Sequence, residues 1–285
     1  ISPDNLRPSV ETSLHNLIEY AYVIHTHPTL VNALMCSNDA EKEVKARFTE
    51  QALYVEYTDP GFMLFKKLQE RIGAYKKNHG VAPPIIFLQN HGVFVGADTV
   101  EEVKKIYESI YSRIREGKVL ELPSTEAVGY TSSAYKAVSD HFANRGLIAK
   151  AIRCELTDHF TAGTRQFKKI SRPFSPDIIV YCKSKYLFLE KGMGTDPIIP
   201  VLKQFEQDYG YYPKVILEEG GGLIAVEENE KAIQTVLEVY LDLIKISYLS
   251  ESFGGPHFMS AEQIRFIDNW EVEHYRRKVA KNAGT

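Results

Sequence analysis

Cysteine is scarce in this chain. Cys36, Cys154 and Cys182 are far apart and odd in number. They form no CxxC metal pattern and no secreted disulfide framework, so a reducing cytoplasm is the expected location. No stretch approaches the roughly 18 uninterrupted apolar residues of a membrane helix, which argues against a membrane partner. Basic residues form no block, and 34 Lys and Arg against 37 Asp and Glu leave a net charge of −3. A nucleic-acid partner is therefore not expected. The GxGxxG dinucleotide fingerprint is missing as well. No signal peptide is visible, and the first residue is Ile1 rather than Met, which reads as a processed chain or a fragment. What is present is ordinary for a globular protein: 285 residues, 44% hydrophobic and 25% charged. That length suffices for one large domain or two small ones, with a core that needs no staples.

Hydrophobic spacing predicts a short helix over Ser9–Ile18 with Ser9 as its cap, then a strand over Ala21–Thr26. A helix around Thr29–Cys36 follows, and the charged stretch Asn38–Val44 reads as surface. Val55–Pro60 is ambiguous. Phe62, Phe65, Leu68, Ile72 and Tyr75 recur at helical spacing, and Gly80 stops that helix. Ile85–Leu88 and Val93–Val95 read as strands around an Asn90-His91-Gly92 turn. Asp98 or Thr99 then caps a helix from about Val100 to Arg115. Pro123–Thr125 looks like a linker, so the expected division is 1–122 and 123–285. Asp208–Tyr240 repeats the plan of Asn78–Tyr111: Gly210 answers Gly80, Pro213 precedes a strand, and Gly221 answers Gly92. On that alignment Gly220 stands where the first copy has His91. The second copy then keeps the scaffold and drops the histidine.

Three histidines carry the chemistry. In His25-Thr26-His27-Pro28 the two imidazoles are two residues apart, so on a strand they share a face at chelating distance. Neutral imidazole is a common zinc ligand. An apolar strand leads into the pair and Pro28 ends it. His91 supplies a third imidazole from a comparable strand-turn context, and Gly92 beside it lets the backbone turn sharply. Three histidines with one open position describe a catalytic metal site rather than a structural one. Glu11 and His15 lie four apart on the preceding helix, next in the chain to the metal-bearing strand, so a carboxylate is available for proton transfer. His79 reads as a helix-end residue, and His141, His159, His257 and His274 have no obvious partners.

Pro-Ser-x-Glu-x-x-x-His, His-Thr-His-Pro and Leu-Gln-Asn-His-Gly-Val-Phe-Val-Gly, in this order, resemble the class II aldolase and adducin superfamily over about residues 7–115. Within it, Arg7–His15 and the long second half look most like the rhamnulose-1-phosphate aldolase branch, which is sometimes fused to a short-chain dehydrogenase. The resemblance implies an α/β layered fold with a mixed, largely antiparallel sheet, followed by a second α/β unit without metal ligands. It implies a zinc or similar divalent ion held by His25, His27 and His91, with Glu11 as general acid/base. The implied reaction is retro-aldol cleavage of a ketose 1-phosphate to dihydroxyacetone phosphate and a small aldehyde such as lactaldehyde. Ser9 matches a family serine that helps hold the phosphate, at what the sequence makes a helix N-terminus. The family's main phosphate segment lies upstream of the Glu motif, so the N-terminal part of the fold is expected to be missing here. A homo-oligomer is implied too, since family members borrow a tyrosine from a neighbouring subunit.

Four rival readings remain. Sugar-phosphate 4-epimerases share the superfamily and its metal site. An adducin-like interaction module would require loss of the metal ligands, and all three are present. A cupin dioxygenase wants a Glu four to five residues after the second His, where this chain has Val31 and Asn32. An amidohydrolase barrel wants a regular βα repeat that the short mixed strands do not supply.

Overall fold

The computed structural model describes residue 9, residues 11–117 and residues 119–270. It divides into two units: Ile1–Leu120 with Leu249–His257, and Glu121–Tyr248 with Phe258–Thr285. The return of Leu249–His257 to the first unit has no counterpart in the two consecutive blocks expected from the sequence. It is made by backbone pairing, which composition does not announce.

The first unit runs α1 (Thr12–His15), β1 (Tyr22–Thr26), α2 (Thr29–Met35), α3 (Ala40–Phe48), β2 (Ala52–Val55), α4 (Phe62–His79), β3 (Ile85–Leu88), β4 (Gly92–Ala97) and α5 (Val100–Arg115). Its sheet has the order β1-β4-β3-β2. β4 is antiparallel to both neighbours, and β2 is parallel to β3. All residues of β3 and β4 are buried, which suits unbroken apolar runs rather than alternating ones. Leu64, Leu68 and Ile72 form one face of α4 and pack with Leu14, Ile86, Leu88 and Phe94. Gly80, at φ 77°, ends α4 by donating its N–H to the Lys76 carbonyl at 2.8 Å. Thr99, not Asp98, caps α5: its side chain accepts from Glu102 N.

Two expectations are corrected here and one gap is filled. The helix predicted over Ser9–Ile18 is only Thr12–His15, with Glu11 rather than Ser9 at its N-cap. It closes at once into tight turns, Leu17 N to Leu14 O and Ile18 N to His15 O, so it never extends. The stretch read as surface, Asn38–Val44, overlaps the first half of α3, which buries Ala40 and Val44 there and Phe48 beyond it. The unassigned Ala52–Val55 is an edge strand held by parallel pairing to β3.

The second unit runs β5 (Val128–Gly129), α6 (Ser133–Ala143), β6 (Ile148–Arg153), α7 (Glu155–Thr161), α8 (Thr164–Phe167), α9 (Pro176–Cys182), β7 (Leu187–Leu189), α10 (Thr195–Tyr209), β8 (Val215–Glu218), β9 (Leu223–Glu227), most of α11 (Glu230–Ser250) and α12 (Ala261–Asn269). Its sheet order is β5-β6-β9-β8-β7. Leaving β5 aside, β6, β9, β8 and β7 take the places of β1, β4, β3 and β2, with the same antiparallel and parallel pairings. Both units are thus mixed α/β, with mostly antiparallel sheets. Backbone geometry shifts the alignment of the two turns by one residue from the one read in sequence. Asn90 at φ 53° answers Gly220 at φ 70°, and Gly96 N to Pro84 O answers Val226 N to Lys214 O. Thr26 faces Val93 as Ile152 faces Leu223. The positions of His25, His27 and His91 therefore hold Ala151, Arg153 and Gly221 in the second unit.

Within that unit Glu227 is 4% exposed. Its carboxylate is met by the Lys214 ammonium, by Tyr212 Oη at 3.3 Å and by the Glu228 N–H at 3.1 Å. Lys214→Met is expected to lower the unfolding free energy by about 3 kcal/mol, because it strands a buried charge. Adding Glu227→Leu should recover most of that loss. Urea denaturation of both variants checks it, and an unchanged midpoint for Lys214→Met would refute the assignment. Cys36, Cys154 and Cys182 are all buried thiols. Among the described residues no helix is long and apolar enough to cross a membrane.

Candidate metal centre

β1 ends at Thr26, so His25 sits inside the strand and His27 is the first residue beyond it. The two-residue spacing still brings the rings together, with Nε2 to Nε2 at 3.0 Å. His25 is oriented from behind. Its Nδ1–H donates to the Val93 carbonyl of β4 at 3.0 Å. Phe94 stacks on its ring at 4.0 Å between centroids and 17° between planes. Because a carbonyl can only accept, this hydrogen bond fixes the proton on Nδ1 and turns a lone pair on Nε2 toward the other donors. His15 backs the same wall: Nδ1 lies 3.2 Å from the Val23 carbonyl and the ring meets Phe94 edge-on.

His91 comes from the turn between β3 and β4. The turn needs a left-handed residue, and Asn90 at φ 53° supplies it. His91 N then donates to Leu88 O at 3.2 Å, and the His91 Nε2 stands 3.4 Å from His25 Nε2. Gly92 follows. A Cβ there would fall 2.4 Å from His27 Cδ2 and 2.5 Å from the Thr26 carbonyl, so only glycine lets β4 pass this close to the ligand strand.

Glu11, as the residue capping α1, points its carboxylate into the same space, 3.5 Å from His25 Nε2 and 3.6 Å from His91 Nε2. Burial alone would raise its carboxyl. Hydrogen bonds and electrostatic attraction from the His25 and His91 rings outweigh that and hold it well below the usual carboxylate range.

Glu11, His25, His27 and His91 each offer one donor atom, all within 4.8 Å of one another. The set fits a divalent ion. Tetrahedral zinc with nitrogens at about 2.0–2.1 Å separates its ligand atoms by roughly 3.3 Å. The observed Nε2 separations of 3.0 and 3.4 Å bracket that. Three imidazole nitrogens facing one another gain little from protons alone, and a cation between them satisfies every lone pair.

All four residues expected to form the centre thus converge. Ser9 stands otherwise: its Oγ accepts from Glu11 N at 3.2 Å, and it is not at a helix N-terminus. A four-residue helix that begins beyond Ser9 has little dipole to offer an anion. His79 lies beside Tyr75 and Glu50, and His159 packs on Phe160 and Tyr248. His274 lies outside the described residues. Two contributors escaped the sequence reading. Tyr107 of α5 shares a 2.6 Å hydrogen bond with Thr26, between the candidate ligands His25 and His27, and His257 meets Asn90 beside His91. No short-range pattern could reveal either, since the pairs are 81 and 167 residues apart.

Residues 2–115 match the family model described as Class II Aldolase and Adducin N-terminal domain. Glu11, His25, His27 and His91 all lie inside the match. A 112-residue stretch is 29% identical to the uncharacterized oxidoreductase YuxG of Bacillus subtilis (strain 168), covering 39% of this chain and 15% of that relative. The match therefore spans under a sixth of that relative's length.

Proposed function

We propose that the first unit is a metal-dependent aldolase of the class II kind. In this reading it cleaves a ketose 1-phosphate resembling rhamnulose or fuculose 1-phosphate into dihydroxyacetone phosphate and a small aldehyde. The observation that carries the reading is the convergence of three imidazoles and one carboxylate within 4.8 Å, inside a segment that matches the class II aldolase and adducin model. His25, His27 and His91 would hold the ion, with zinc as the proposed metal. A divalent ion there supplies Lewis acidity, lowering the cost of negative charge on substrate oxygens. Glu11 would serve as the proton carrier: ionised while idle, it would take up the proton that leaves the C4 hydroxyl as the C3–C4 bond breaks and hand it to C3, ending as the carboxylate it began as. His25, locked by Val93 and Phe94, keeps the donor geometry fixed while Glu11 moves its proton.

The substrate class, a homo-oligomeric state and a phosphate contact from Ser9 belong to the same proposal on the strength of the family resemblance, and a cytoplasmic location belongs to it on the strength of the scattered cysteines. The relative's name, oxidoreductase, concerns a chain of which 15% is matched, and this sequence shows no GxGxxG fingerprint.

The test joins metal content with a coupled assay for dihydroxyacetone phosphate from L-rhamnulose and L-fuculose 1-phosphates. One ion per chain with chelator-sensitive release is the expected result. An isomeric ketose phosphate without release would replace the aldolase by an epimerase, and absence of metal uptake would leave an interaction module. Glu11→Gln should keep the metal and lose turnover by a factor on the order of 10²–10⁴. Unchanged turnover in that variant would remove Glu11 from proton transfer.

A further inference from the structure

We infer that His257 is a positioning residue for the candidate metal centre, acting on the ligand His91 through the side chain of Asn90. The inference rests on the metal reading of the site and adds a part that lies outside the family match, which ends at residue 115.

Asn90 is 1% exposed, so each polar atom of its amide needs a partner. His257 meets both ends of it. Asn90 Nδ2 donates to the His257 carbonyl at 2.8 Å, and His257 Nδ1–H donates to Asn90 Oδ1 at 3.0 Å. The backbone is held from the same side, since Asn90 N donates to Met35 O at 3.1 Å and His257 N to Cys36 O at 2.7 Å. The clasp continues along the chain. Ser37 bridges Pro256, Asn38 N donates to Gly255 O, and Asp39 N donates to Phe253 O. Asn38 Nδ2 adds a bond to the Gly254 carbonyl at 2.8 Å. The end of α2 and the returning segment thus grip one residue, and that residue immediately precedes His91.

The turn alone does not call for an amide. At the equivalent position of the second unit Gly220 adopts the same left-handed conformation, φ 70° against 53° for Asn90, and glycine does so at less cost. In that unit the next residue is Gly221, which cannot ligate. An amide appears where a ligand follows and not where none does. Its use is to fix the peptide that aims His91, as outer partners commonly fix ligand orientation.

The experiment measures cobalt(II) affinity and its visible d–d spectrum on the full chain, with thermal unfolding of the metal-free protein alongside. The variants are Asn90→Gly, which keeps the turn, His257→Ala, the two combined, and His257→Asn, whose amide can still donate to Asn90. Asn90→Gly and His257→Ala are each expected to weaken cobalt roughly ten-fold and to alter the spectrum. The double variant should lose no more than either single one, because both delete one link. His257→Asn should stay within about three-fold of wild type. Wild-type affinity in His257→Ala, or losses that add fully in the double variant, would overturn the inference and leave the metal site standing. A wild-type chain that takes up no cobalt would overturn the site and this inference together. Should His257→Ala fail to fold, Asn90→Gly and His257→Asn still decide: equal cobalt affinity in Asn90→Gly and wild type refutes the link.

Discussion

His25→Ala is expected to leave a folded chain that retains no stoichiometric zinc, a fall in affinity of roughly a thousand-fold or more. His25 is the most connected of the four donors: its Nε2 lies 3.0 Å from His27, 3.4 Å from His91 and 3.5 Å from Glu11. Its ring is also held from behind, through Nδ1 to Val93 O at 3.0 Å. The other donors cannot close over the gap, because the turn through Asn90 aims His91 and His25 alone stands at the centre of the set. Zinc content after dialysis and a calorimetric titration read the loss directly. His79→Ala is the matched control, since His79 is an imidazole beside Glu50 that belongs to no donor cluster among the described residues. Full zinc occupancy in His25→Ala would dismiss His25 from the site, and equal loss in His79→Ala would show that the assay reads general damage.

The donors were legible in sequence because each rests on local geometry. The i, i+2 rule needs only an extended backbone, and Tyr22, Val23 and Ile24 ensure one before His25. Gly92 after His91 advertises a close approach, and the Cβ geometry bears that out. Glu11 was legible by proximity along the chain. The grounds given for it, a longer helix capped at Ser9, were not those the structure uses, since Glu11 itself occupies the cap. Long-range features stayed hidden. β2 has four residues, too few for Tyr54 and Val55 to establish a period, and is held by its pairing with β3. α3 buries only Ala40, Val44 and Phe48, and its charges outvote them in any local window. The repeat alignment slipped by one residue because the glycines at 220, 221 and 222 are interchangeable as letters. Only the left-handed φ of Gly220 shows which of them answers Asn90. His257 was read as partnerless because its partner lies 167 residues away.

Gly92→Ala adds a single methyl group and is expected to damage both fold and site. Its Cβ would lie 2.4 Å from His27 Cδ2 and 2.5 Å from the Thr26 carbonyl, distances that real contacts do not reach. The ring could swing aside, but the carbonyl belongs to β1, which is paired to β4 from Tyr22↔Ala97 to Thr26↔Val93. Relief then requires prising the end of β1 from β4 or rotating His27 out of the cluster. Either move spoils the donor set. The expected outcome is a destabilisation of about 3 kcal/mol, the upper range for overpacking, with zinc affinity reduced roughly a hundred-fold. The second unit offers an internal control of the physics. A Cβ on Gly222 would lie 2.4 Å from the Ile152 carbonyl and 2.9 Å from the Tyr130 ring. The backbone approach is the same, but the nearest side chain is the Tyr130 ring rather than a candidate ligand. Gly222→Ala should therefore cost similar stability and leave zinc affinity untouched. Gly73→Ala, whose Cβ meets nothing within 4 Å inside α4, should cost neither. If Gly92→Ala binds zinc like wild type, the close approach of β4 does not set the position of His27. If Gly222→Ala also loses zinc, the methyl group acts through general destabilisation rather than through the ligand.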